Sequence, residues 1–278
     1  MTLSRRDIND LLEAHGLAPR REFGQNFVGD PNTVRRIARL AAVGAGDDVV
    51  EIGAGLGSLT VALAETGARV LAIEIDRGIV PVLRTVVAAH DNVTVVEADA
   101  QELVWDDVLA GSTAWVLVAN LPYNVGTPLV LDLLDTVHQI ARMLVMVQRE
   151  VAERIVASAR SAAYGALSVK VAYWATARIV GYVPATVFVP QPKVESALVE
   201  ITRRAQPAVD DVDPQALFEL VRAGFLHRRQ MLRRVLAGIV TAEQFAEAGI
   251  QPTARAEELD VNAWGRLARV VHATAEVD

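Results

Sequence analysis

The sequence contains no cysteine, which excludes disulfide scaffolds, thiolate metal sites and cysteine nucleophiles. Its five histidines, His15, His90, His138, His227 and His272, show no metal-ligand spacing, so no metal is expected. Lysine is almost missing: Lys170 and Lys193 are the only two, and arginine carries the rest of the positive charge. No uninterrupted apolar stretch reaches the roughly 18 residues of a membrane-spanning helix. The opening Met1-Thr2-Leu3-Ser4-Arg5-Arg6-Asp7 lacks the apolar core of a signal peptide. A cytoplasmic location without membrane attachment is therefore expected.

What is present is apolar. Of 278 residues, 52% are hydrophobic, enough to form a sizeable core and outweigh chain entropy. The length allows one large domain with a small appendage. A formal net charge of -7 argues against indiscriminate coating of nucleic acid. Yet Arg222, Arg228, Arg229, Arg233 and Arg234 follow one another with no acid among them, carrying +5 and leaving -12 for the remainder. Such a stretch either steers a polyanion or forms a solvated helix face, and composition leaves both open.

The first 45 or so residues read as helical, with Val34, Ile37, Ala38 and Ala41 spaced for a helix over Thr33 to Ala42. Short β-branched runs then alternate with helical stretches: 48–52, 69–75, 93–96, 115–118 and 143–147. Continuous apolarity predicts strands buried on both faces and joined by parallel crossovers, hence an α/β fold. Ser168 to Ala175, Ala177 to Val183 and Ser196 to Thr202 lie too close together for crossovers and are expected as antiparallel strands at one edge. The Pro/Asp-rich segment from Ala205 to Pro214 breaks all periodicity. Residues 1–206 are therefore expected as the main domain and 207–278 as a small helical one.

The first strand leads into Glu51-Ile52-Gly53-Ala54-Gly55-Leu56-Gly57, followed by helix formers. Glycines at a strand-to-helix turn permit positive φ and let a ligand approach bare backbone. The third glycine arrives one residue too early for the dinucleotide fingerprint, which opposes a nicotinamide oxidoreductase. The second strand ends Ala72-Ile73-Glu74-Ile75-Asp76, with Glu74 able to accept from both ribose hydroxyls, and the third leads to Asp99, able to accept from an adenine amine. An adenosine-bearing cofactor is the inference. The fourth strand ends in Asn120-Leu121-Pro122-Tyr123, a rigid turn that offers carbonyl acceptors and an aromatic face. Acceptors of this kind suit an exocyclic amine whose lone pair must turn towards an electrophile, which points to an amino-directed methyltransferase.

The loop Asn120-Leu121-Pro122-Tyr123 resembles the signature of the ribosomal RNA adenine N6-dimethyltransferases, and the resemblance places Asn120 against the cofactor as well as the target base. Gly24-Gln25-Asn26-Phe27 resembles their N-terminal cofactor-lid motif, and Phe188-Val189-Pro190-Gln191-Pro192-Lys193-Val194-Glu195-Ser196 their proline-rich block. The resemblance covers about Gly24 to Arg204 and returns in Phe225 to Arg234 and Arg255 to Leu259. It implies a class I (Rossmann-like) S-adenosylmethionine methyltransferase domain with a small all-helical C-terminal domain. Gln25, Asn26 and Val28 would line the methionine end of S-adenosylmethionine, with Gly53 and Gly55 in the turn beneath it. Glu74 would take the ribose, Asp99 with Ala100 the adenine, and Asn120 the target amine. Leu121, Pro122, Tyr123 and Phe188 would complete the catalytic group, the two aromatics holding an adenine drawn out of its stack. Lys193 and Arg222, Arg228, Arg229, Arg233 and Arg234 would contact RNA. The implied partner is 16S rRNA in an assembling 30S subunit, bound by a monomer. A large-subunit rRNA methyltransferase of the antibiotic-resistance type and a non-catalytic assembly factor remain as alternatives.

Overall fold

A computed structural model describes residues 2–20, 22–122 and 126–275. Among the described residues nine strands are formed: β1 Phe27–Val28, β2 Asp48–Ile52, β3 Arg69–Glu74, β4 Val93–Glu97, β5 Trp115–Asn120, β6 Ile140–Gln148, β7 Ala175–Val183, β8 Phe188–Val189 and β9 Ser196–Arg203. Seven of them make one sheet in the order β4-β3-β2-β5-β6-β9-β7. The β4/β3, β3/β2, β2/β5 and β5/β6 pairs are parallel, and β6/β9 is antiparallel. β1 and β8 form a separate antiparallel pair that joins positions far apart in the chain.

The chain divides into two compact units, residues 1–152 with 178–203 and residues 153–177 with 204–278. This corrects the expected split at 206/207. The break near Arg204 is where the Pro/Asp-rich segment placed it, but 153–177 packs with the C-terminal helices. Within that segment Ser168 to Ala175 is not a strand. The helix Ala166–Trp174 covers nearly all of it, with Leu167, Val169, Val171 and Tyr173 all buried. A short run that is apolar on every side has no period by which to tell helix from strand.

In the first unit, the helix Pro31–Ala41 shows how sequence becomes packing. Asp30 caps it by accepting from the Thr33 N–H at 2.8 Å, Pro31 opens it, and Val34, Ile37, Ala38 and Ala41 form its buried stripe. That stripe meets Leu63, Val70, Val116 and Val118 in the core on one side of the sheet. The second unit has its own core around Trp264, Phe245, Tyr164 and Tyr173. Gly224 sits in the helix Pro214–Phe225 because the Trp264 indole occupies the space a Cβ would need. The Tyr164 hydroxyl donates to the Leu259 carbonyl at 2.8 Å, satisfying the one polar atom of a buried ring. Among the described residues no helix is long and apolar enough to cross a membrane.

Candidate active site

Strand order reverses between β2 and β5, so their carboxyl ends open a crevice between helices that leave in opposite directions. β2 runs directly into the glycine turn, where Gly53, Gly55 and Gly57 adopt φ of 73°, 57° and 87°. A Cβ on Gly55 would lie 3.0 Å from the Phe27 ring. The bare turn aims its Gly55 N–H at Glu74 Oε2 (2.7 Å), while Glu74 Oε1 accepts from the Asp76 N–H (2.9 Å). Glu74 is 5% exposed. Burial pushes its carboxyl upward, and the bonds from Asp76 and Gly55 oppose that push.

Glu51 stands at the floor of the crevice and is 2% exposed. Burial raises its carboxyl from an ordinary 4.5 to about 8, the Thr60 hydroxyl opposing and Glu74 adding repulsion. Among the described residues its Oε2 has no hydrogen-bond partner. Neither Lys, Arg nor His lines this part of the crevice among the described residues. The floor therefore offers hydrogen-bonding oxygens, one of them unused, and no basic side chain among the described residues.

The wall comes from three places. Asn26 and Val28 reach the crevice because β1 pairs with β8, Phe27 opposite Val189 and Val28 opposite Phe188. Asn120 Nδ2 donates to the Asn26 carbonyl at 2.9 Å, which fixes the amide plane and leaves the side-chain carbonyl as the acceptor. Leu121 is buried, its N–H bonded to the Met146 carbonyl, and the Pro122 carbonyl accepts from the Gly126 N–H at 2.8 Å. Pro122 thus already has one partner at the start of the next helix. Gln25 lines the crevice too, but its side chain is committed elsewhere, to Asp76 and to the Arg20 N–H.

A second cavity adjoins the first, sharing Phe23, Gly53, Ile75 and Pro122 with it, and contains Asp99, Ala100 and Gln101. Asp99 Oδ1 accepts from the Gln101 N–H at 2.9 Å, so the carboxylate also shapes its own turn. Together the cavities make one trough along the ends of β2, β3, β4 and β5. The sequence reading missed Ile8, Phe23, Glu51, Ile75 and Leu129 on its walls. Glu51 alone carried a signal, as an acid flanked by Val50 and Ile52 inside a strand.

Two expected members of the site stand differently. Phe188 is 0% exposed and belongs to the main core, lining neither cavity. Its pairing with Val28 turns the side chain inward, which corrects its reading as a stacking face in this structure. Tyr123 lies outside the described residues. Lys193 is exposed in the loop between β8 and β9.

In the helical unit Arg222, Arg229, Arg233 and Arg234 are exposed, with Arg222 4.0 Å from Glu219. Arg228 departs from expectation. It pairs with Glu257 at 2.7 Å and donates to the carbonyls of Ser161 and Ala162, so it braces this unit rather than standing free for phosphate. An antiparallel bridge between Met231 and Arg255 brings a further arginine to the notch formed by His227, Arg228, Arg229 and Gln230.

Comparison with known proteins places this architecture. A family model described as ribosomal RNA adenine dimethylase matches residues 16–272. A Cutibacterium acnes protein named ribosomal RNA small subunit methyltransferase A is 48% identical, the alignment covering 97% of this chain and 93% of the relative. A Streptomyces coelicolor protein of the same name is 43% identical, with 94% of each covered. A dimethyladenosine transferase from Plasmodium falciparum has the same fold, with a TM-score of 0.74 at 23% identity over 86% of this chain and 94% of that one. The 23S rRNA methyltransferase ErmE gives 0.66 at 26% identity, covering 89% and 100%.

Proposed function

This chain belongs to the ribosomal RNA adenine dimethylase family, and from that membership we propose that it transfers methyl groups from S-adenosylmethionine to the N6 amine of adenines in small-subunit rRNA. It is an rRNA adenine N6-dimethyltransferase with the Rossmann-like fold of that enzyme class. Within that activity we assign the target to two adjacent adenosines in a hairpin near the 3′ end of 16S rRNA. The substrate particle is an assembling 30S subunit in the cytoplasm, and the enzyme acts on it as a monomer.

The trough fits the cofactor. Its orphaned Glu51 oxygen and basic-free floor suit a ligand that carries an ammonium and a sulfonium. Glu74, held by the backbone N–H groups of Gly55 and Asp76, is the ribose acceptor in this reading, and Asp99 with Ala100 holds the adenine. Asn26, Val28, Gly53 and Gly55 form the methionine end. The cofactor supplies an electrophilic methyl group on sulfur.

The protein's part is positioning. The adenine amine is a poor nucleophile because its lone pair is delocalised into the ring. Asn120, pinned by Asn26, accepts one N6–H bond, and the carbonyl of Leu121 or Pro122 accepts the other. Holding both N–H groups out of conjugation turns the lone pair towards the methyl. The methylated ammonium is acidic and loses its proton to water, so no strong base is required. The pinned amide of Asn120 at the mouth of a carboxylate-floored trough is the observation that carries this mechanism.

The test is transfer of labelled methyl to small subunits lacking these modifications, followed by nucleoside analysis. N6,N6-dimethyladenosine confined to small-subunit RNA is expected. Label in large-subunit RNA would move the enzyme to the resistance type, and cofactor binding without any transfer would make it an assembly factor.

A further inference from the structure

We propose that Asp76 is a positioning residue for cofactor binding: its carboxylate holds the Arg20 and Gln25 side chains so that Phe23 closes the wall shared by both halves of the trough. The inference rests on the cofactor reading above.

Asp76 lies two residues past the end of β3 and is 3% exposed. Its Oδ2 accepts from Gln25 Nε2 at 2.8 Å, and its Oδ1 accepts from the Gly78 N–H at 2.9 Å and faces Arg20 Nη1 at 3.6 Å. The two N-terminal residues are also tied to each other. Gln25 Oε1 accepts from the Arg20 N–H at 2.7 Å, and the Gln25 N–H donates to the Arg20 carbonyl at 3.3 Å. These bonds make a closed ring from Asp76 through Gln25 and Arg20 back to Asp76. Phe23 lies between its two N-terminal members, with the Arg20 guanidinium 5.8 Å from its ring centre. Phe23 lines both cavities.

Asp76 therefore does two things. Its backbone N–H fixes Glu74 Oε1, and its side chain anchors the stretch that carries Phe23, Asn26 and the pin on Asn120. Bonds to a buried carboxylate are stronger than neutral ones because little water competes for it. Without them the N-terminal stretch would have to be ordered by the ligand, and that ordering would be subtracted from affinity.

The discriminating variant is Asp76→Asn. It keeps an acceptor for Gly78 but turns an amide N–H2 towards the amide N–H2 of Gln25. We expect calorimetric affinity for S-adenosylmethionine and for S-adenosylhomocysteine to fall roughly tenfold or more. Amide hydrogen exchange at residues 22–26 of the ligand-free protein should quicken while the melting temperature stays within a few degrees. Gln25→Glu, which sets two carboxylates against each other, should weaken binding to a similar extent even if Asp76→Asn does not fold. The exchanged pair D76N/Q25E restores complementary partners and should recover both affinity and slow exchange. Unchanged affinity and exchange in either single variant, or a double variant no tighter than the singles, would overturn the proposal. Wild-type protein that binds neither ligand would instead overturn the cofactor reading itself.

Discussion

In the sheet-bearing unit Glu51, Glu74 and Asp76 are all under a tenth exposed, whereas in the helical unit Arg222, Arg229, Arg233 and Arg234 lie open to water. The two regions carry opposite charge in opposite physical settings. A buried carboxylate must be satisfied by specific donors or hold its proton, so each is tied to one geometry. Glu74 is satisfied by two backbone N–H groups, and Glu51 keeps its proton up to about pH 8. Exposed arginines have no such demand. They act together, weakly and at a distance, and salt screens them. Arg228 is the instructive exception, since Glu257 has converted a member of the exposed set into structure. Recognition of the cofactor should therefore fail at single residues, and attraction of RNA should erode by increments.

The sharpest test of that contrast is Asn120→Ala, which should cost two to three orders of magnitude in turnover, about 3–4 kcal/mol, while cofactor affinity stays near wild type. Near-normal turnover in a single-turnover assay would remove Asn120 from the mechanism.

Next comes Glu51, whose burial links stability to pH. Below the ordinary carboxyl range both folded and unfolded chains hold the proton, and Glu51 costs nothing. As pH rises from about 4.5 to about 8 only the unfolded chain ionises, so stability falls, and above that the loss levels off. The isosteric Glu51→Gln should remove this slope and make the ligand-free protein more stable at pH 8 by on the order of 3 kcal/mol. Parallel melting curves for both proteins across pH 4.5–8.5 would sink the assignment.

Glu74→Ala should weaken S-adenosylmethionine binding by roughly ten- to a hundredfold, since both ribose bonds and the clamp on Gly55 are lost. An unchanged dissociation constant would refute the ribose role. The smallest effects belong to the helical unit. Neutralising Arg229 and Arg255 should each lower the salt slope of RNA binding by about one, leaving the melting temperature alone. Arg228→Ala should do the reverse, lowering the melting temperature by about 2 °C through loss of Glu257 with little change in slope. If Arg228 and Arg229 behave alike, the division between brace and contact is wrong.

Much of the sheet-bearing unit was legible because its signals are local. Continuous β-branched runs announce strands buried on both faces, and the glycine turn and Asp99 follow strands, and Glu74 ends one, at the edge where a parallel sheet binds ligands. Legibility failed where local pattern carries no period or where partners are remote. The helix Ala166–Trp174 is apolar on most sides, and nothing between Glu153 and Ala177 marks it as part of the second unit. Arg228 reads as one more arginine until Glu257 arrives from later in the chain. Phe188 sits inside a matching sequence block yet packs into the core, because the block's position does not reveal which way a strand residue faces.

By itself the sequence determined the α/β class, the strand-end chemistry and the acceptor-rich loop at Asn120, since each depends on residues within a few positions of one another. Only the tertiary structure decided that Glu51 would be buried, that β1 would meet β8, that Asn26 would hold Asn120, and that Asp76 would anchor Arg20 and Gln25. Those pairings join segments separated by dozens to more than a hundred residues. Their closure is favoured only once the whole core has formed, because apolar burial elsewhere supplies the free energy that offsets the entropy of bringing distant chain together.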